Sequence, residues 1–261
     1  MNNKKLDVSR MWRDWFMVDA FKIEHPLFNF FSLLPHDPRC KLCFSPFEGI
    51  GGFTVGTLFG RKRSALNPNF CNICEDFAKK NPGGSEVEMS MLFADIRGST
   101  ALSESMSASE FSRLINQFFV QSTDIIAAQD GLIEKLAGDA IAAFWGAGFA
   151  GPQYVVKTIN SAQGILKAME REKIPVGIGV HTGVAFFGAM GSVGGLVNIA
   201  AIGEEVNTAA RLASKAAAGE IIISEKALQA AGMDGGQLEA RRLELKGISE
   251  PLSVRVLHAS D

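Results

Sequence analysis

This 261-residue chain lacks several features that would point it toward particular partners. It has no excess charge of one sign: 26 Lys and Arg stand against 28 Asp and Glu, a formal net charge of -2. That balance gives no bulk attraction to nucleic acid or to a membrane surface. The N-terminus, MNNKKLDVSRMWRDWF, is charged and has no apolar h-region, so no secretory leader is read there. The longest apolar run, residues 140–150, is too short to cross a bilayer and contains glycines. These absences predict a cytoplasmic chain with no membrane span. No cysteine falls outside two pairs, Cys40/Cys43 and Cys71/Cys74. In a reducing compartment that pattern favours a metal over disulfides. There is no internal repeat and no low-complexity tract.

What is present suffices for a core, with 47% hydrophobic and 21% charged residues. The length allows one large domain, or one domain with a small appendix. The texture changes near residue 82. Residues 1–80 are aromatic, Pro-rich and cysteine-containing; "KKNPGGSE" reads as a linker, placed at residues 81–86; residues 87–258 show clean helix and strand patterns. In that C-terminal part, strands are predicted at residues 87–94, 132–137, 140–145, 220–224, 239–245 and 252–257, and a strand pair around Gly183 at 176–182 and 184–189. Helices are predicted at 107–129, 153–171 and 204–217, the last closed by Gly219. Hairpins mixed with helical connections predict an α+β fold, a mostly antiparallel sheet with helices packed on it.

The stretch "MLFADIRGST" ends a greasy run in an acid, Asp95, just before a turn and a helix start. A second acid, Asp139, sits in the "GD" turn between two predicted strands. Either acid alone reads equally well as a turn or capping residue. If their strands are neighbours, the two carboxylates repel, and one pKa rises or a cation binds. Hard oxygen ligands suit Mg²⁺ or Mn²⁺. The following "IRGST" can offer backbone N–H groups to phosphates at a helix N-terminus. Together these features describe a metal–triphosphate site.

Four segments, "FADIRGST", "EKLAGDAIAAFWG", "GIGVHTGVAFFGAMGS" and "AIGEEVNTAARLA", occur in an order and spacing that resemble the catalytic domain of class III adenylate/guanylate cyclases. The resemblance covers about residues 85–258. It implies a ferredoxin-like core that dimerises head to tail and converts a nucleoside triphosphate to a 3′,5′-cyclic monophosphate and pyrophosphate. Asp95, Asp139 and the backbone of Ile96 match the holders of two Mg²⁺ or Mn²⁺ ions, and Gly98, Ser99 and Thr100 fall in the phosphate-binding turn. Asn207 and Arg211 match the transition-state pair; at i and i+4 they share one helix face. Lys135 matches the purine-reading lysine of adenylate cyclases; lysine only donates, so it suits adenine N1 and not the N1–H of guanine. By strand alternation Glu134 should face away from it. Lys246 falls where family members often carry a phosphate-binding lysine.

Ala200 departs from the pattern: adenylate cyclases usually have Asp or Thr there, and alanine cannot hydrogen-bond through its side chain. The resemblance therefore implies an ATP-using adenylate cyclase, with GTP use or mixed specificity as the alternative. A non-catalytic nucleotide-binding signalling module is a further reading, but it predicts the loss of a metal or transition-state residue, and all four are present. A GG[DE]EF-like hairpin, which a diguanylate cyclase would need, is absent. His181 is read as structural rather than as a general base. In the family the aspartates come from one subunit and the Lys/Asn/Arg set from the other, so a homodimer with two shared sites is implied. The glycine-rich residues 188–203 would form its interface arm.

In the N-terminal module, C-x₂-C, a 27-residue gap and C-x₂-C make a tetrahedral thiolate set for structural Zn²⁺; an iron–sulfur cluster uses the same ligands, and a redox dithiol is a third option. "SPFEGIGG" reads as a loop, and Arg61, Lys62 and Arg63 as a solvated basic patch. The aromatic segment at residues 11–31 is expected to pack as a helix against a partner subunit. No sensor-domain motif is recognisable.

Overall fold

A computed structural model of the chain describes residues 7–17, 30–31, 33–35, 38–65, 70–191, 197–248 and 250–259. It resolves into two compact units: residues 1–88, 146–152 and 185–202 form one, and residues 89–145, 153–184 and 203–261 the other.

The larger unit is the α+β sheet domain. Its strands are β1 (Gly83–Ile96, counted here from Met89), β2 (Leu132–Ala137), β3 (Ala140–Trp145), β4 (Val176–Gly191, counted to Val184), β6 (Ile221–Ser224), β7 (Glu239–Leu243) and β8 (Leu252–Leu257), in the order β2-β3-β1-β4-β6-β8-β7. β4 and β6 run parallel, while β1–β3, β2–β3, β6–β8 and β7–β8 run antiparallel, so the sheet is mostly antiparallel as predicted. The long helix Ala108–Ala128 starts at a capping box: Ser107 Oγ accepts from Glu110 N–H, and the Glu110 carboxylate accepts from Ser107 N–H. That reciprocal pair satisfies two donors the helix would otherwise leave bare. Helix Tyr154–Arg171 packs on it and buries Ile159, Ala162, Ile165, Leu166 and Met169.

Helix Glu204–Lys215 lies over its own cluster. Leu212 and Ala216 meet Ile222, Leu245 and Val254, with Leu243, Ile248 and Leu252 at the edge. Its buried residues, Val206, Thr208, Ala209, Leu212 and Ala213, form one stripe, and that stripe fixes which residues the helix turns outward.

The strand pair expected around Gly183 is one uninterrupted strand, Val176–Gly191. Gly183 is needed for space and not for a turn: a Cβ there would lie 2.5 Å from the Glu205 carboxyl carbon. Residues 81–86, expected as a linker, hold Asn81, which caps helix Asn72–Lys80, and the first residues of β1.

In the smaller unit, β4 residues from Phe186 pair with β5 (Val197–Ile202) as an antiparallel hairpin. Helix Val8–Met17 buries Trp12 and Phe16 on this chain's own Phe187, at ring-centroid distances of 5.6 and 4.5 Å, and Phe16 also meets Phe149 at 5.1 Å. These rings are used within the chain rather than offered to a partner; residues 18–29 of the aromatic segment lie outside the described residues. The "SPFEGIGG" stretch leads into a helix, Gly49–Phe59, and not a loop. Its glycines admit backbone: a Cβ on Gly51 would lie 2.5 Å from the Pro35 carbonyl oxygen, and one on Gly52 would lie 2.4 Å from the Phe47 carbonyl carbon. Of the expected interface arm, residues 192–196 lie outside the described residues.

Candidate functional site

Asp95 is opposite Ala140 in the β1–β3 register, and Asp139 directly precedes Ala140 in the β2–β3 turn. The Ile96 N–H donates to the Asp139 carbonyl at 3.1 Å, which ties the two acids to one end of the sheet. Gly138 at φ 63° makes the tight turn that puts Asp139 there. Burial raises the Asp95 carboxyl above the usual aspartate range; Arg97 beside it pulls the value down, and Asp139 pushes it up again. The Arg97 guanidinium meets Asp95 at 2.5 Å and donates to the Ser214 carbonyl at 3.3 Å. Two acids that repel each other, with hard oxygen atoms and a side chain still 33% exposed at Asp95, suit a divalent cation. Just beyond, Gly98 at φ 67° precedes helix Ser99–Ser105, and no side chain caps its first turn.

Asn207 is exposed and Arg211 half-buried on the outer side of helix Glu204–Lys215. The Arg211 guanidinium lies over Gly247, 3.5 Å from where a Cβ would stand. Gly247 adopts φ 78° in the turn before β8, and Lys246 is its exposed neighbour. The fold therefore brings Arg211 to the turn that carries Lys246, which their separation in sequence hides. Lys135 is exposed on β2, its side chain 54% accessible against 6% for Glu134. A register shift between Ile133 and Lys135 interrupts simple alternation, so the expected separation of faces is incomplete: Lys135 Nζ lies 3.9 Å from Glu134 Oε2. Among the described residues, no hydrogen bond or ion pair joins Lys135, Asn207 or Arg211 to either aspartate. Ala200 is buried in β5 opposite Gly188.

His181 stands apart from this chemistry. It is buried, with Nδ1 at 2.7 Å from Ser224 Oγ and Nε2 at 2.5 Å from the Glu205 carboxylate. Burial holds its pKa below the usual histidine value, against an upward pull from Glu205. Ser224 accepts from the Ala227 N–H, so its hydroxyl proton is free for Nδ1, and the ring donates from Nε2–H to Glu205. Glu205 also takes Lys226 at 3.0 Å and opens the helix that carries Asn207 and Arg211. These buried hydrogen bonds agree with a structural His181, whereas Glu205 carries no signal in sequence: "GEEVN" gives no hint of which acid turns inward.

The other cluster is in the smaller unit. Cys40, Cys43, Cys71 and Cys74 are all buried, and their sulfurs lie within 4.8 Å of one another. Arg61, expected in a solvated patch, is buried instead, because its guanidinium is drawn to the thiols: Nη1 lies 3.2 Å from Cys43 Sγ, 3.4 Å from Cys71 Sγ and 3.7 Å from Cys74 Sγ. Lys62 and Arg63 remain exposed. Burial pushes the Cys40 thiol up, whereas hydrogen bonds from Cys40, Cys43 and Cys74 push Cys71 down.

No helix among the described residues is long and apolar enough to cross a membrane. An uncharacterised protein of Mycobacterium tuberculosis is 31% identical over 176 residues, which is 65% of this chain and 32% of that protein. Adenylate cyclase 1 of Rhizobium meliloti is 30% identical over 138 residues, 48% of this chain and 20% of that enzyme. The matched stretch thus spans about a third or less of these relatives' own length. Among solved structures, the guanylyl cyclase Cya2 superposes with a TM-score of 0.62 at 26% identity, over 67% of this chain and 93% of that one. The adenylyl cyclase CyaB from P. aeruginosa gives 0.60 at 27%, over 67% and 95%. The profile of the adenylate and guanylate cyclase catalytic domain matches residues 84–255, and the chain belongs to that family.

Proposed function

We propose that this chain is an adenylate cyclase that forms 3′,5′-cyclic AMP and pyrophosphate from ATP at sites shared between two copies of itself. The observation that carries the reading is the pairing of Asp95 and Asp139 at one sheet end, beside a turn whose helix start has no side-chain cap. Asp95, Asp139 and the Ile96 carbonyl would hold two Mg²⁺ or Mn²⁺ ions, whose chemistry is to acidify the ribose 3′-hydroxyl and neutralise the triphosphate. Gly98, Ser99 and Thr100 present backbone N–H groups to phosphate oxygens. The ribose 3′-hydroxyl releases its proton to solvent, its oxygen forms a bond to the α-phosphorus, the bond from that phosphorus to the bridging oxygen breaks, and pyrophosphate leaves.

Arg211 meets charge growing on the α-phosphate with its planar fork, Asn207 orients the ribose, and Lys246 adds a cation beside Arg211. Lys135 donates to adenine N1. That Asn207 and Lys135 project outward, unconnected to the aspartates of their own chain, supports completion of each site by a second copy.

The test offers the full chain ATP or GTP with Mn²⁺ or Mg²⁺ and separates the cyclic products. Cyclic AMP, formed with a kcat/KM for ATP above that for GTP, is the expected result. A preference for GTP would replace this reading with guanylate cyclase, and equal use of both with a mixed cyclase, which Ala200 permits because its side chain cannot select a base by hydrogen bonding. No cyclic product under any combination would overturn all three.

A further inference from the structure

We propose that the four cysteines hold one tetrahedral Zn²⁺ ion and that Arg61 is the buried cation that offsets its excess negative charge. Each cysteine pair is presented by a short backbone device. Around the first, the Cys40 N–H donates to the Ser45 carbonyl at 2.9 Å and the Phe44 N–H to the Cys40 carbonyl at 2.8 Å, with Arg39 and Pro46 bridged antiparallel. Phe44 takes φ 65°, so the chain turns back immediately after Cys43. Around the second, Arg63 bridges to Cys71, and Cys71 caps helix Asn72–Lys80, one turn of which carries Cys74 to the same spot. The two devices come from separate parts of the chain, yet the four sulfurs converge.

Their spacing decides what they can hold. Zn–S bonds of about 2.3 Å in a tetrahedron put sulfurs about 3.8 Å apart. Cys43 and Cys71 sulfurs are 3.7 Å apart, and all four sulfurs are within 4.8 Å of one another. An iron–sulfur cluster distributes its thiolates over two or more irons and so spreads them more widely than one ion does. A compact S₄ set, closer than thiolates spread over several irons, suits a single zinc ion.

Four thiolates on Zn²⁺ leave two negative charges in a buried place, which is costly unless they are met by hydrogen bonds and a cation. Backbone donors are in position: Cys71 N–H to Cys40 Sγ at 3.3 Å and Cys74 N–H to Cys71 Sγ at 3.4 Å. Arg61 supplies the cation, with one nitrogen near three of the sulfurs and its guanidinium 5.3 Å from the Phe31 ring centroid. A closed set of four buried ligands leaves no position for a substrate, so the ion acts as a staple rather than a catalyst. It fixes helix Asn72–Lys80, which packs against β5 within the same unit.

The experiment uses the full chain, purified without added metal or chelator. Zinc, iron and acid-labile sulfide are measured, and zinc release to a chromophoric chelator is followed for wild type, Arg61→Lys and Arg61→Ala. One zinc per chain with no labile sulfide is expected. Iron in place of zinc, with or without sulfide, would overturn the proposal, as would a metal-free native protein whose four thiols all react with Ellman's reagent. Loss of a supporting contact to a metal site typically weakens it about 10–100-fold, so Arg61→Ala should release zinc faster by that order, with Arg61→Lys in between. Wild-type release from both variants would remove Arg61 from the site. If Arg61→Ala does not fold, Arg61→Lys decides alone, by release faster than or equal to wild type. None of these readouts involves nucleotide turnover, so failure here would leave the cyclase reading untouched.

Discussion

Asp95 and Asp139 offer hard oxygen ligands at a half-exposed strand end, whereas Cys40, Cys43, Cys71 and Cys74 offer soft sulfur ligands in full burial. The contrast follows from the work each set can do. A catalytic ion needs positions open to substrate, so its protein ligands must be few and reachable. A structural ion needs none, so its ligands close around it. Each site also recruits an arginine, and in opposite ways. Arg97 pairs with Asp95 through a side chain still 20% exposed, where solvent screens it. Arg61 is 9% exposed against sulfurs that have no such screen.

The comparison can be broken in three places. The largest effect is expected from Asp95→Ala, which should lower kcat by about 10³-fold or more, as loss of a main electrostatic group does, while zinc content stays unchanged. Retained activity would mean that the aspartate end is not the reacting one. Next, Cys71→Ser should empty the closed site and lower the midpoint of thermal unfolding by several degrees, since a structural ion contributes directly to folding. An unchanged midpoint with unchanged zinc would show that three sulfurs suffice.

The smallest effect concerns the buried His181. Its folded pKa lies below the unfolded value of about 6.5, so the unfolded chain binds more protons and stability rises with pH across that window. Stability is therefore fully present above about pH 6.5 and falls as pH drops toward the depressed folded value. Urea titrations of wild type and His181→Gln between pH 5 and 8 check this. The variant should lose about 1–2 kcal/mol at pH 8 from broken hydrogen bonds to Ser224 and Glu205, and should show a shallower decline on acidification. An equal decline in both would remove His181 as its source.

Periodic and turn signals made much of the larger unit readable in advance. β2, β3 and β8 have the bounds that alternation and the "GD" dipeptide predict, and the long helix, expected at 107–129, runs from Ala108 to Ala128. Glycine is where local signals and the fold part. Gly183 and Gly51 read as turn or loop residues, yet each clears space for a carboxyl group or a backbone atom that comes from elsewhere in the fold. Such close approaches leave no local trace in sequence. The same holds for Arg61, whose neighbours Lys62 and Arg63 are solvent-facing and whose burial depends on sulfurs up to 18 residues away. The two aspartates were legible because each ends or begins a strong strand pattern. The meeting of Arg211 with Gly247, beside Lys246, was not, because it depends on how a helix lies over the turn before β8.

Shared sites are the central claim, and mixing two defective chains tests it most directly. Asp95→Ala and Arg211→Ala proteins should each be inactive alone. Mixed in equal amounts and allowed to exchange partners, they should regain up to about a quarter of wild-type activity, because half the dimers are mixed and each mixed dimer has one intact site. A mixture as inactive as its parts, with subunit exchange verified, would contradict the account.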